Sequence, residues 1–210
     1  MNELINTLLR WFELTSPWEL AAVILALGYL LLAVKRSLWC WACAFVSSAI
    51  YVALMFQARL YMQAALNVFY VAMAVYGFYE WQRGRNPEGG VAVLRWPLWA
   101  HGIAFAGVAV ATVMNGWLLE QHSRAASPYL DSFVTWGSVI TTWMVARRII
   151  ENWLYWIVVD SVAAYVYFAQ ELRATGILFL IYIVIVIQGY RVWRRESLQG
   201  AAIPLSESAG

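Results

Sequence analysis

Thr175-Gly-Ile-Leu-Phe-Leu-Ile-Tyr-Ile-Val-Ile-Val-Ile-Gln-Gly-Tyr-Arg-Val192 holds one charge in eighteen residues, and that charge is next to last. As a helix the stretch is about 27 Å long, close to the ~30 Å hydrocarbon core of a bilayer. Six further stretches of the same kind precede it: Trp18–Val34, Cys40–Gln57, Tyr61–Tyr79, Pro97–Leu119, Tyr129–Ala146 and Trp153–Ala169. The whole chain is 63% apolar and 12% charged, where a soluble domain carries about 25% charged residues. That deficit leaves too little polar surface to face water. Membrane-spanning strands would alternate polar and apolar side chains. These stretches are apolar throughout, so the sequence predicts an all-α integral membrane protein with seven transmembrane helices.

Seven spans put the two ends of the chain on opposite sides. One side then receives Lys35, Arg36, Arg83, Arg85, Arg95, Arg147, Arg148, Arg191, Arg194 and Arg195; the other receives Arg10, Arg59, Arg124 and Arg173. Basic residues gather in short cytoplasmic loops, so the C-terminus is expected in the cytoplasm and the N-terminus outside. Residues 1–15 lack the basic start and apolar run of a cleaved signal. They read as an interfacial segment with Leu4, Ile5, Leu8, Leu9 and Phe12 on one side. The small, polar residues 196–210 read as a disordered cytoplasmic tail.

A shift of 112 residues lays Ala33–Arg83 on Val145–Arg195 without a gap. Arg36 meets Arg148, Trp41 meets Trp153, Tyr70 meets Tyr182, Gly77 meets Gly189 and Trp81 meets Trp193. One added residue upstream brings Ser16-Pro17-Trp18 onto Ser127-Pro128-Tyr129. Apolar matches are cheap in such a chain, but Trp, Gly and Pro in one register are not. The predicted organisation is a first three-helix repeat over 16–86, a linker helix over 96–120 and a second three-helix repeat over 127–195. The linker helix returns the chain to its starting side, so the repeats run parallel. This 3+1+3 plan resembles the SWEET sugar-efflux architecture, and parallel repeats place a substrate near the midplane between them.

Polar groups inside a span are costly and mark candidate chemistry. Asp160 stands out, with Trp153 and Trp156 at spacings that bring all three to one side of a helix. Two indoles and a carboxylate can hold a flat ring with a polar or cationic group. Asn67 and Tyr70 share a face of the third span, and Tyr182 and Gln188 lie on the seventh; these are further substrate-binding candidates. Trp153 also suits an interfacial anchor, and the amides suit helix–helix hydrogen bonds. Gly77 and Gly189 suit close helix packing. Asp131 is expected as a helix cap, His101 as a packing or hydrogen-bonded side chain, and His122 in a loop. Cys40-x-x-Cys43 has no second pair and no nearby His, so both read as packing residues. Two separated histidines make no metal site, no phosphate-cradling Gly-rich loop is present, and no paired catalytic constellation appears. No cofactor, no catalytic residue and no nucleic-acid partner is implied.

Glu151-Asn152-Trp153-Leu-Tyr-Trp156-Ile-Val-Val-Asp160 resembles the W-x-x-W-x-x-x-[N/D] signature of the PnuC family of bacterial vitamin transporters. Arg147–Arg148, Leu130-Asp131-Ser132 and Leu60-Tyr61…Leu66-Asn67-Val-Phe69-Tyr70…Tyr76-Gly77…Trp81 fit the same family, over roughly Ser16–Arg195. The resemblance implies a SWEET-like fold in the bacterial inner membrane, a homotrimer, and facilitated uptake of nicotinamide riboside that a cytoplasmic kinase traps by phosphorylation. It implies substrate contacts for Trp153, Trp156 and Asp160. Members carrying nicotinamide riboside can have Asn at the last motif position, where this chain has Asp160. Thiamine, also cationic and aromatic and carried by relatives, suits the same residues. A non-transporting receptor or scaffold is the alternative of a different class; an enzyme finds no support in the residues.

Overall fold

The computed structural model describes residues 16–57, 61–85, 92–123, 126–170 and 173–201. Among them are seven helices: α1 Pro17–Val34, α2 Trp39–Gln57, α3 Tyr61–Arg83, α4 Leu98–His122, α5 Pro128–Ala146, α6 Asn152–Ala169 and α7 Arg173–Ala201. Every expected span coincides with one of them, with ends shifted by a few residues. Four helices are long and apolar enough to cross a membrane by length and composition: α1, α2, α4, and α7 over Thr175–Leu198. Their outward positions are large and apolar, as at Ile24, Phe45, Ile103, Val110, Met114 and Val184. The chain is thus a multi-pass membrane protein. The more polar α3, α5 and α6 carry the side chains that matter below.

The helix ends follow from local chemistry. Pro17 and Pro128 stand in the first turns of α1 and α5, where a missing N–H costs nothing. Ser16 Oγ accepts from the Glu19 amide at 3.1 Å and caps α1. Ser127 precedes α5 without a side-chain cap, and Asp131 lies inside its first turn rather than at the cap. The other ends of α1 and α5 are built alike. Arg36 and Arg148 take the left-handed conformation, with φ of 53° and 62°. Ser37 N donates to Leu32 O and Ile149 N to Met144 O, both at 2.9 Å, while Arg36 N and Arg148 N reach back to Ala33 O and Val145 O. This double closure satisfies carbonyls that a helix end leaves orphaned.

Next to these two ends sits the aromatic core. Trp41 and Trp81 meet edge to face at 5.4 Å, Trp153 and Trp193 do so at 5.3 Å, and Trp81 and Trp193 join the pairs at 6.0 Å. All four are buried. Trp41 lies directly on Gly77, and Trp153 lies on Gly189, where a Cβ would stand 2.6 Å from its ring. The Trp81 indole N–H donates to Val145 O at 3.0 Å, and that of Trp193 to Ala33 O at 3.2 Å. Each bond therefore runs from α3 or α7 to a frayed carbonyl of α5 or α1. The Trp41 and Trp153 indole nitrogens have no partner among the described residues. Trp81→Phe and Trp193→Phe are accordingly expected to lose about 1–3 kcal/mol from the orphaned carbonyl, beyond any cost in volume. Trp41→Phe and Trp153→Phe carry no such penalty. Unfolding midpoints of the four purified variants check this, and an equal loss in all four would refute the hydrogen-bond argument.

Helices α1, α2 and α3 pack in sequence, as do α5, α6 and α7; α3 packs on α5 and α1 on α7, while α4 leans on α5. The segment before α4 is pinned by Leu94, whose N–H and C=O bond Arg148 O and Ile150 N at 2.9 Å, and by Glu151, which accepts from the Trp96 amide. Three expectations need correction. The disordered tail begins later than position 196, because α7 continues to Ala201. Its residues there favour a helix, and Glu196 pairs with Arg36 at 2.6 Å. His122 belongs to the last turn of α4 and bonds Leu118 O. Asp131 is not a cap. The interfacial segment 1–15 and residues 202–210 lie outside the described residues.

Candidate functional site

Asp160 sits in the middle of α6 and is 3% exposed. Among the described residues no side chain hydrogen-bonds or ion-pairs with its carboxyl group. Close helix packing brings its surroundings together. Gly137 on α5 lets Val159 approach so nearly that a Cβ would lie 2.7 Å from a Val159 methyl. The neighbouring Ser138, also buried, meets the Tyr70 hydroxyl of α3, and Tyr70 lies within electrostatic reach of Asp160. From α7, Tyr182 reaches Asp160 as well. Two tyrosines at positions 112 apart thus attend a single carboxylate, whose own counterpart under that shift is the buried Ser48.

The remaining candidates divide. Trp156 is half-buried, one turn before Asp160 on α6, and borders the aromatic core. Trp153 does not stand beside it as a second free wall. Its ring is filled by Gly189 below and the Trp193 edge. The spacing in sequence was right for one helix, but the neighbouring helix decides which indole is covered. Gln188 is also corrected. Val186, Gly189 and Trp193 form the inward side of α7, and Gln188, about 100° round from Gly189, is exposed. Asn67 is half-buried and turns back to its own helix, donating to Gln63 O at 2.9 Å. Ser138, Tyr167 and Phe179 escaped the sequence reading. Hydroxyls inside spans usually bond their own helix, as Thr141 does to Gly137 O, so Ser138 gave no signal.

Toward the far end of α6, Tyr167 stacks on Phe179 at 5.2 Å, and Phe179 meets Tyr182 edge-on at 5.5 Å. Elsewhere His101 bonds the Tyr155 hydroxyl at 2.8 Å and meets the Trp96 ring, a satisfied packing role. Both cysteines are free thiols, and Cys40 is buried. No group of side chains that could hold a metal occurs among the described residues. An apolar groove of about 730 Å³ runs along α4 past Ile103, Gly107, Val110, Met114 and Trp136. It contains none of the candidate residues.

The nicotinamide mononucleotide transporter family model matches residues 16–195. The riboflavin/roseoflavin transporter RibM of Streptomyces davaonensis is 32% identical over 213 residues, covering 96% of this chain and 99% of that one. The nicotinamide riboside transporter PnuC of Escherichia coli K12 is 22% identical over 176 residues, covering 72% and 74%. A crystal structure of the vitamin B3 transporter PnuC has the same fold, with a TM-score of 0.74 at 19% identity over 93% of this chain and 88% of that chain.

Proposed function

This chain belongs to the PnuC family of vitamin transporters, and from that premise we propose that it carries nicotinamide riboside, a cationic aromatic vitamin, by facilitated diffusion. One observation carries the choice of a cation: Asp160 is buried in the bundle without a protein partner. An uncompensated charge there is costly, and a bound cation supplies the missing partner. Trp156 offers its indole to the pyridinium ring, a contact worth about 0.5–2 kcal/mol. Tyr70 and Tyr182, with Ser138 behind, offer hydroxyls to the ribose. Trp153 holds α6 against α7 and acts through Trp156 and Asp160. Asn67 and Gln188 have no part in this site.

The same reading takes all seven helices as spans in a SWEET-like 3+1+3 arrangement, with repeats over 16–86 and 127–195 joined by α4. The paired indole–carbonyl bonds and the paired contacts α3–α5 and α1–α7 support it. The ten-to-four basic bias supports a cytoplasmic C-terminus in a bacterial inner membrane. A homotrimer belongs to the reading, supported by the exposed apolar side of α4, as does a cytoplasmic kinase that traps the vitamin. The chain itself is then no enzyme and needs no cofactor.

A second reading has a specific observation in its favour. The near-complete coverage of RibM at 32% identity supports riboflavin, whose neutral ring system can donate an N–H to Asp160 and stack on Trp156. Thiamine suits the carboxylate as nicotinamide riboside does. Calorimetric titration of the purified protein with all three separates them. Nicotinamide riboside is expected to bind, and Trp156→Ala to weaken it about tenfold or more with little change in the unfolding midpoint. Heat from riboflavin alone would move the assignment to the second reading. Uptake into proteoliposomes is expected without ATP or an ion gradient; a requirement for either overturns facilitated diffusion.

A further inference from the structure

Asp160 is closed off at one end of the bundle and approached by a graded path at the other. The closed end holds the four tryptophans, the indole–carbonyl bonds, and the ion pairs Arg36–Glu196 and Arg147–Glu80. At the opposite end α1 and α5 begin, and each carries one carboxylate in its first turn, Glu19 and Asp131. Tyr51 of α2 lies within electrostatic reach of Glu19 and of Tyr167, and Tyr167 within reach of Asp131. Inward, Tyr167 stacks on Phe179, Phe179 meets Tyr182, and Tyr182 reaches Asp160. An aromatic file thus leads from two carboxylates at the rim to a third at depth.

The two rim carboxylates are neither capped nor paired among the described residues. Glu120, nearby in sequence to α5, differs: it accepts from the Tyr129 hydroxyl at 2.9 Å. Arg173, at the start of α7, has a partner of its own. Rim acidity alone would signify only solvated helix starts. The deeply buried, unpartnered carboxylate at the end of the aromatic file gives it a destination.

We propose that Glu19 and Asp131 form an acidic mouth that selects cationic aromatic substrates and steers them along Tyr51, Tyr167 and Tyr182 to Asp160. The inference rests on the cation-transport reading above and adds two specificity-determining residues outside the binding site. Charges at a rim raise the local concentration of a cation and leave a neutral molecule indifferent. Their action fades as salt shortens the screening length from about 30 Å at 0.01 M to about 3 Å at 1 M.

The test compares initial uptake of nicotinamide riboside and of neutral riboflavin into proteoliposomes, at low and high ionic strength. The Glu19→Gln/Asp131→Asn double variant is expected to raise KM for nicotinamide riboside about three- to tenfold at low salt. Its maximal rate should stay unchanged, and the gap should close at high salt. Glu19→Asp and Asp131→Glu, which keep the charge, should restore the low-salt KM. Any riboflavin uptake should not respond to either change. An unchanged KM for nicotinamide riboside at low salt, or an equal change for riboflavin, overturns the acidic mouth while leaving Asp160 its role. If riboflavin is carried and nicotinamide riboside is not, the cation reading of Asp160 falls and the mouth falls with it.

Discussion

Asp160→Asn is expected to raise the stability of the ligand-free protein and to weaken nicotinamide riboside binding by about 30- to 1000-fold. The two effects have opposite signs because one charge serves two states. In the empty protein the carboxylate is 3% exposed and unpartnered, so it is desolvated without return. An amide of the same shape avoids that cost. In the bound state the carboxylate faces the pyridinium charge, and removing one member of a buried ion pair costs about 2–5 kcal/mol. A structural role would produce the reverse pattern, with a falling midpoint and unaltered affinity. Two measurements on one sample, an unfolding midpoint without ligand and a titration with it, distinguish the cases. A lower midpoint for Asp160→Asn removes the proposed site whatever the affinity does. Stability given up at a functional group is a common pattern in proteins held just above the folding threshold.

The helices were legible because lipid imposes a blunt demand. Every stretch had to be apolar along its whole length, so charges fell at the ends and marked them. The contacts between helices were less legible, and the reason is geometric. Gly77, Gly189, Trp41 and Trp153 stood out as matched pairs across the 112-residue shift. That each glycine receives the tryptophan of its own triplet needs the approach of two helices, which no spacing along one helix contains. The same gap misled the reading of Trp153. Its position on α6 suggested a wall beside Trp156, and only α7 reveals that the ring is already covered. Gln188 failed likewise, since a polar residue in a span says nothing about which side is inward until Val186 and Gly189 fix it. Asp160 was found for the opposite reason. A carboxylate in mid-span is rare enough to carry information without a neighbour.

Gly189→Val is expected to cost about 3 kcal/mol or more and to separate packing from binding in the Trp153-x-x-Trp156-x-x-x-Asp160 motif. Even a single added Cβ would sit 2.6 Å from Trp153 Cζ3 and 2.7 Å from two further ring atoms. The ring has no room to retreat, being 1% exposed and set edge-on against Trp193. Overpacking a filled core costs about 1–3 kcal/mol, and more where the backbone must yield. Here α6 and α7 must part, and the Trp193 bond to Ala33 O, which ties α7 to α1, is strained with them. Making the ring smaller should relieve the clash. Gly189→Ala combined with Trp153→Phe is therefore expected to be more stable than the sum of the single losses, with a coupling of about 0.5–3 kcal/mol. The functional readout then follows. Trp153→Phe should lower the midpoint and leave nicotinamide riboside affinity within a few-fold, whereas Trp156→Ala should do the opposite. If Trp153→Phe instead weakens binding as strongly as Trp156→Ala while the fold stays intact, Trp153 touches the substrate and the packing assignment is wrong.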